Sequence, residues 1–222
     1  MSAVPLAKLA ILISGRGSNM VAIVRACQSA AIAARPVIVI SDRRDAQGLA
    51  SARELGVATA TVLPDGGGAP SFEDRLAARL EDAQADIIAL AGFMRILSPA
   101  FVTRYGGRML NIHPSLLPAY RGLHTHRRVL AAGEREHGAS VHFVTPELDS
   151  GPVVLQSKVA VEPADTEATL AARVTATEHL IYPEALSWFA LRRLAWHDGA
   201  AWLDGRPLEA PIVEDFRAAT PR

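Results

Sequence analysis

The sequence predicts an α/β fold, a single domain built on an open, mostly parallel, twisted sheet with helices on both faces. Three observations carry that expectation. Leu9 to Ile13 is a continuous apolar run, and Asp86 to Gly92 is a second segment of the same kind. Uninterrupted apolar strands suit a sheet covered on both faces. The first run leads at once into Ser14-Gly15-Arg16-Gly17-Ser18-Asn19, after which Met20, Ile23, Val24 and Cys27 recur at the spacing of one helical face. Neither an internal repeat nor a low-complexity linker divides the 222 residues, half of them apolar. The chain is therefore expected to form one domain over 1–222, with its core from about 8 to 205.

Taken in order, the helix after the glycine turn is expected to be N-capped by Ser18 or Asn19. Val37 to Ile40 is the second strand, Gln47 to Leu55 a short helix stopped at Gly56, and Ala58 to Leu63 the third strand. Pro64-Asp65-Gly66-Gly67-Gly68-Ala69-Pro70 suits neither helix nor strand. It reads as a connecting loop, with a mobile flap over a site as the alternative. Ser71 caps a helix that places Phe72, Leu76 and Leu80 on one face. Beyond the strand ending at Gly92, Phe93-Met94-Arg95-Ile96-Leu97 puts apolar side chains at a strand's carboxyl end, as core or as one wall of a pocket for a flat ring system. Ser98-Pro99 opens a short helix that Gly106-Gly107 closes. Met109 to His113 is a strand ended by Pro114, which disfavours helical backbone at the preceding residue. Leu123 to Leu130 returns to helix, Ser140 to Val144 alternates as a strand, Thr145 to Gly151 is an acidic turn, and Val153 to Val161 is a further strand. The longest helical pattern begins at Asp165-Thr166, with Leu170, Val174, Leu180 and Ile181 inward and Pro183 placed to kink it. Ala195 to His197 and Ala201 to Leu203, joined by Asp198-Gly199, make a small C-terminal hairpin.

Composition narrows the function. Lys plus Arg (23) equals Asp plus Glu (23), so there is no broad electrostatic footprint for nucleic acid or an anionic membrane, while a small anionic ligand stays open. The one cysteine, Cys27, excludes an internal disulfide framework and fits a reducing cytoplasm. The apolar run after Lys8 is too short to span a membrane and lacks a cleavage region, so a cytoplasmic, unexported protein is expected.

The segment Met109 to Gly151 holds five of the seven histidines. Asn111 and His113, two apart on a strand, point to the same face. They emerge at the strand's carboxyl end, where open α/β sheets place ligands. The loop at 15–19 is an anion site or a tight strand-to-helix turn: glycines let the backbone approach, and N–H groups at a helix start carry positive charge. Gly15-Arg16-Gly17 also begins a dinucleotide fingerprint, with Asp42 at the ribose-binding offset, but Met20 replaces its third glycine, which argues against a nicotinamide cofactor. Metal binding finds no H-E-x-x-H and no second cysteine, so no metal is expected. A Ser115-His113-Asp149 hydrolase lacks the G-x-S-x-G elbow. What remains is an Asn, a His and an acid with no nucleophile, which suits attack of one substrate on another. Asn111 would donate to a developing oxyanion, protonated His113 would stabilise it, and Asp149 would hold the imidazole and take a proton from the attacking group. Singly, the first two also read as satisfied polar groups at a strand end and Asp149 as a turn acid.

Six stretches, in order, resemble the motifs of the folate-dependent phosphoribosylglycinamide formyltransferases. They are Ile13 to Asn19, Ala91 to Leu97, Asn111 to Pro118, Gly122 to His126, Ser140 to Val144 and Leu148 to Pro152, and the similarity runs from about residue 8 to 205. The resemblance implies a Rossmann-like formyltransferase domain that passes the formyl group of 10-formyltetrahydrofolate, a co-substrate, to the amine of glycinamide ribonucleotide in purine synthesis. By resemblance, Asn111, His113 and Asp149 are catalytic. Gly17, Ser18 and Asn19 hold the phosphate, and Glu178 the ribose. Met94, Arg95, Ile96, Leu97 and Asn111 bind the folate, with the 145–149 turn closing the pocket. The Pro64–Pro70 loop departs from the family pattern, so no folate contact is carried onto it. Formyltetrahydrofolate hydrolases would add an N-terminal domain, and methionyl-tRNA formyltransferases a C-terminal domain and basic surface. A non-catalytic phosphate-binding protein would need the 15–19 loop without the trio. The partners expected are two small molecules, with the chain a monomer or homodimer.

Overall fold

The computed structural model describes residues 5–64 and 70–217. In β1 (Ala7–Ile13), Leu9, Ile11 and Ile13 pack into a core cluster on one side of the sheet, and Ala10 and Leu12 into a cluster on the other. Side chains alternate across a strand, so one covered on both faces is apolar throughout. The chain continues through α1 (Ser18–Gln28), β2 (Ala34–Ser41), α2 (Gln47–Glu54), β3 (Thr59–Thr61), α3 (Phe72–Asp82), β4 (Ile87–Leu90), α4 (Pro99–Arg104), β5 (Met109–His113), α5 (Thr125–Ala132), β6 (Glu136–Phe143), β7 (Val153–Ala160) and α6 (Glu167–Ala190). Residues of α1, α2, α5 and α6 join the first cluster, and residues of α3 and α4 the second. Helices thus cover both faces.

The main sheet has eight strands in the order β11-β7-β6-β5-β4-β1-β2-β3, and β6 alone runs against the others. Here β11 (Ile212–Asp215) pairs in parallel with the edge of β7. The sequence reading missed it, because four half-exposed residues after Pro211 show little apolar pattern. Beyond α6, β8 (Leu194–His197) and β9 (Ala200–Leu203) form the expected hairpin, and β10 (Arg206–Pro207) adds a third strand. Asp198 and Gly199 both have positive φ, 49° and 81°, as a two-residue hairpin turn of matching twist requires.

Several boundaries move for identifiable reasons. The N-cap of α1 is Gly17, with φ 75° and no side-chain cap, instead of Ser18 or Asn19. Asn19 is unavailable because its side chain is committed elsewhere, as shown below. α5 starts at Thr125, two residues later than Leu123, since His124 is left-handed at φ 56°. β6 begins at Glu136, four residues before Ser140, because pairing with β7 extends it through buried His137 and Gly138. β3 keeps only three of the six expected residues. In α6, Ile181 is fully buried but Leu180 is 55% exposed, so Leu180 does not face the core. Pro183 lies within this helix, which Thr166 caps. The centre of the Pro64–Pro70 loop, at 65–69, lies outside the described residues.

The capping at α3 and α4 shapes the site. Ser71 and Asp74 form a reciprocal capping box at the start of α3. Glu73, two residues beyond the cap, accepts from the backbone N–H of Ser98 at 2.6 Å and from its hydroxyl. Ser98 in turn caps α4, so α3 anchors the far end of the 93–98 segment.

Candidate active site

β4 and β5 are parallel neighbours, with Leu90 opposite Asn111, while β5 and β6 are antiparallel, with Asn111 opposite His142. That register places Asn111 Nδ2 3.0 Å from His142 Nε2. His142 Nδ1 lies 2.8 Å from the carbonyl of Phe143, so Nδ1 carries the proton and Nε2 accepts from the asparagine amide. Burial, the dominant cause, pulls the His142 pKa down to about 4, so the ring stays neutral and keeps its role as acceptor. An amide nitrogen has two N–H groups, and this contact uses one of them.

His113, 6% exposed, has acceptors at both ring nitrogens. Nε2 is 3.0 Å from the carbonyl of Tyr120, and Nδ1 is 3.4 Å from Asp149 Oδ2. Only the imidazolium offers an N–H to both. Asp149 reaches this position from a loop with its own backbone at φ 48°, and its Oδ2 accepts from the Gly122 N–H at 2.9 Å. Its Oδ1 lies 3.8 Å from His142 Nε2. The structure therefore brings Asn111, His113 and Asp149 together as the sequence led us to expect, and it adds His142. A signal for His142 was present: a histidine between the apolar residues Val141 and Phe143 of a strand-like run.

These groups line a cavity of about 420 Å³. Met94, Arg95, Ile96 and Leu97 form one wall, and Val144, Thr145, Pro146 and Leu148 belong to the facing loop. Met94 and Ile96 are 66% and 72% exposed, while Leu97 is buried. The Arg95 guanidinium lies over the Phe72 ring, 4.6 Å from its centroid. Apolar side chains left uncovered around a cavity with a few convergent polar groups suit an apolar, flat ligand with a polar end.

The residues expected from sequence to hold the ribonucleotide include a second polar cluster, at the start of α1. Asn19 Nδ2 donates to Glu178 Oε2 at 2.8 Å across 159 residues of sequence, and both side chains are buried. Burial raises the Glu178 pKa, and the Asn19 bond opposes that rise. Asn19 Oδ1 is buried and has no hydrogen-bond partner among the described residues. The loop is tied to the cavity wall through Ser14, whose N–H donates to the Gly92 carbonyl at 3.1 Å and whose Oγ accepts from the Met94 N–H at 2.8 Å. Ser18 is exposed. Packing and backbone conformation by themselves require glycine at Gly17. Its φ is 75°, and an added Cβ would stand 2.8 Å from the Gly48 backbone, whereas at Gly15 nothing lies within 4 Å.

Comparisons with known proteins show the family. Residues 7–186 match the family model described as formyl transferase. The chain belongs to that family. It is 53% identical to the phosphoribosylglycinamide formyltransferase of Escherichia coli K12, over 90% of this chain and 95% of that one, and 43% identical to the enzyme of that name from Haemophilus influenzae, again over 90% and 95%. The solved phosphoribosylglycinamide formyltransferase of Coxiella burnetii superposes with a TM-score of 0.87 at 47% identity, covering 93% of this chain and 99% of that one.

Within this formyltransferase, the rival chemistries weighed from sequence lose their residues. Ser115 is fully buried and its Oγ donates to the Ala119 carbonyl at 2.7 Å, so it serves the loop and faces no substrate. His126 is paired with buried His137, ring nitrogens 2.9 Å apart, and burial holds His137 near a pKa of 4. Among the described residues no three His, Cys, Asp or Glu side chains are grouped to hold a metal ion. No helix of the described residues is long and apolar enough to cross a membrane.

Proposed function

We propose that the chain transfers the formyl group of 10-formyltetrahydrofolate to the amine of glycinamide ribonucleotide, with Asn111, His113 and Asp149 at the reacting carbon. The observation that carries this reading is the set of polar contacts among Asn111, His142, His113 and Asp149 in the lining of an otherwise largely apolar cavity. One N–H of Asn111 is pinned by a neutral His142, and His113 is bracketed by two acceptors. The substrate amine attacks the formyl carbon, and the carbonyl oxygen becomes an alkoxide. The remaining N–H of Asn111 and protonated His113 stabilise that charge, an effect worth about 10² to 10³ in rate per donor. Asp149, 3.4 Å from His113 Nδ1, accepts the proton that the amine loses. The carbonyl re-forms as the C–N10 bond breaks, and N10 of the departing tetrahydrofolate takes up the proton that Asp149 received.

Met94, Arg95, Ile96 and Leu97 supply the folate wall. The N–H groups of Gly17, Ser18 and Asn19 receive the phosphate at the start of α1. Two buried acceptors, Glu178 and Asn19 Oδ1, suit the ribose hydroxyls, which are donors. The partners are these two small molecules, and the setting is the cytoplasm. The test is to incubate the protein with 10-formyltetrahydrofolate, with and without glycinamide ribonucleotide, and to weigh the products. A ribonucleotide heavier by one formyl group, formed only when both are present, is the expected result. Formate released equally in both reactions would overturn the reading in favour of hydrolysis.

A further inference from the structure

We propose that Tyr182 is a positioning residue for formyl transfer, holding at a set distance the two strand ends that carry the folate wall and the reacting amide of Asn111. Tyr182 is fully buried in α6, and its hydroxyl lies 2.8 Å from the Leu110 carbonyl and 3.1 Å from the Leu90 carbonyl. A phenol has one proton, so the two carbonyls share a single donor. Leu90 is the last residue of β4, and Leu110 immediately precedes Asn111.

The two strands part at this point. Their pairing runs from Ile88 opposite Met109 to Leu90 opposite Asn111 and ends there. Past Leu90 the chain turns toward β1, with the Ala91 N–H donating to the Leu12 carbonyl at 2.9 Å, and leads through Gly92 to Met94. β5 continues beside β6 alone, as far as His113 opposite Ser140. The reaction site opens in this fork, and the hydroxyl of Tyr182 bonds both prongs. The last rung of the β4–β5 pairing already engages both carbonyls, so the phenol is a second, side-chain tie across that rung, and removing it loosens the strands where they part.

The same helix also reaches the other cluster. Glu178 precedes Tyr182 by four residues, so the two share a helix face, and Glu178 is the partner of Asn19. One rigid turn of α6 therefore spans the distance between the ribonucleotide loop and the carbonyl next to Asn111. A shift of the amide by a fraction of an ångström weakens a bond to an oxyanion while leaving the apolar walls able to bind. The effect belongs on turnover rather than on affinity.

This inference rests on the formyl-transfer reading, and the experiment separates the two. Tyr182→Phe keeps the ring and removes the donor. The expected result is a kcat about tenfold lower, or about 1.4 kcal/mol in the barrier, with both KM values within about twofold. Leu186→Val, one turn further along α6 and likewise buried, is the control: it loosens the helix but leaves the phenol in place, and its kcat is expected to stay near wild type. A second readout needs no activity. The side-chain amide NMR signals of Asn111 are expected to move in Tyr182→Phe and to stay in Leu186→Val. Should the Phe variant not fold, 3-fluorotyrosine at 182 changes little but the acidity of the donor and is expected to move the same signals. A kcat within twofold of wild type, an equal loss in Leu186→Val, or unmoved Asn111 signals overturns the proposal. A wild-type protein without transfer activity overturns the functional reading, and the Asn111 signals then decide the role of Tyr182 by themselves.

Discussion

The two polar clusters at the carboxyl edge of the sheet differ in how complete they are. Around Asn111, each group the reaction uses has a protein partner: the amide has His142, His113 has Tyr120 and Asp149, and Asp149 has Gly122. Around Asn19, two acceptors sit together with one donor between them, and Asn19 Oδ1 has no protein partner among the described residues. A site that stabilises a transition state is best set before substrate arrives, because reorganising it during the reaction adds to the barrier. A site that recognises hydroxyls needs acceptors whose last partner is the ligand. On the proposed function, the first cluster serves chemistry and the second recognition.

The largest expected effect breaks the chemistry cluster. Asn111→Ala and His113→Ala are each expected to lower turnover by about 10² to 10³, and Asp149→Asn to collapse it, because that change removes both the partner of protonated His113 and the proton acceptor. Calorimetry is expected to show both substrates still bound in all three. Near-normal turnover in any of them would remove the distinction between the clusters.

Acid is expected to act on the two regions in opposite senses. His142 and His137 have pKa values near 4 in the fold, against an ordinary 6.5. Below pH 6.5 the unfolded chain takes up protons that the fold refuses. Their contribution is therefore complete above about 6.5 and lost as pH falls from 6.5 to 4, with a total on the order of a few kcal/mol. Glu178 is raised instead, so its contribution is present below the ordinary carboxylate value of 4.5 and lost as pH rises through its higher folded value. Urea midpoints measured from pH 8 to 4 are expected to fall toward acid, and to fall less in His137→Gln. A slope unchanged in that variant would show that the buried histidine is not its source.

Glu178→Gln sharpens the contrast. It keeps the size of the side chain but replaces the anionic acceptor, so ribonucleotide affinity is expected to drop about tenfold, the weight of one hydrogen bond to a charged group. Folate affinity and kcat are expected to hold, and a loss confined to kcat would assign Glu178 to the chemistry cluster.

In the glycine turn, Gly15 and Gly17 separate recognition from packing. Gly17→Ala meets both a left-handed backbone and the Gly48 backbone at 2.8 Å, so it is expected to cost about 1–3 kcal/mol of stability whatever is bound. Gly15→Ala has open space around its Cβ and is expected to leave the thermal midpoint unchanged while weakening ribonucleotide binding a few-fold. Equal losses of stability in both variants would contradict the geometry of the turn.

Local patterns sufficed for much of this protein. The strand at Leu9 to Ile13, the caps at Ser71, Ser98 and Thr166, and the shared face of Asn111 and His113 follow from side-chain alternation, capping chemistry and the restriction that Pro114 imposes on its neighbour. Residues near in sequence impose such rules whatever the rest of the chain does. Other features depend on which distant segments meet. Asn19 leaves the cap of α1 because Glu178 lies across from it on α6. His142 belongs to the site because β6 runs against β5 in a register that puts it opposite Asn111. Asp149 reaches His113 only after a left-handed turn and a bond from Gly122. Tyr182 finds its two carbonyls where β4 and β5 part. Strand order and helix placement are set by the burial of whole faces, a cooperative quantity that no short window of sequence contains, and the partners of these four residues were decided there.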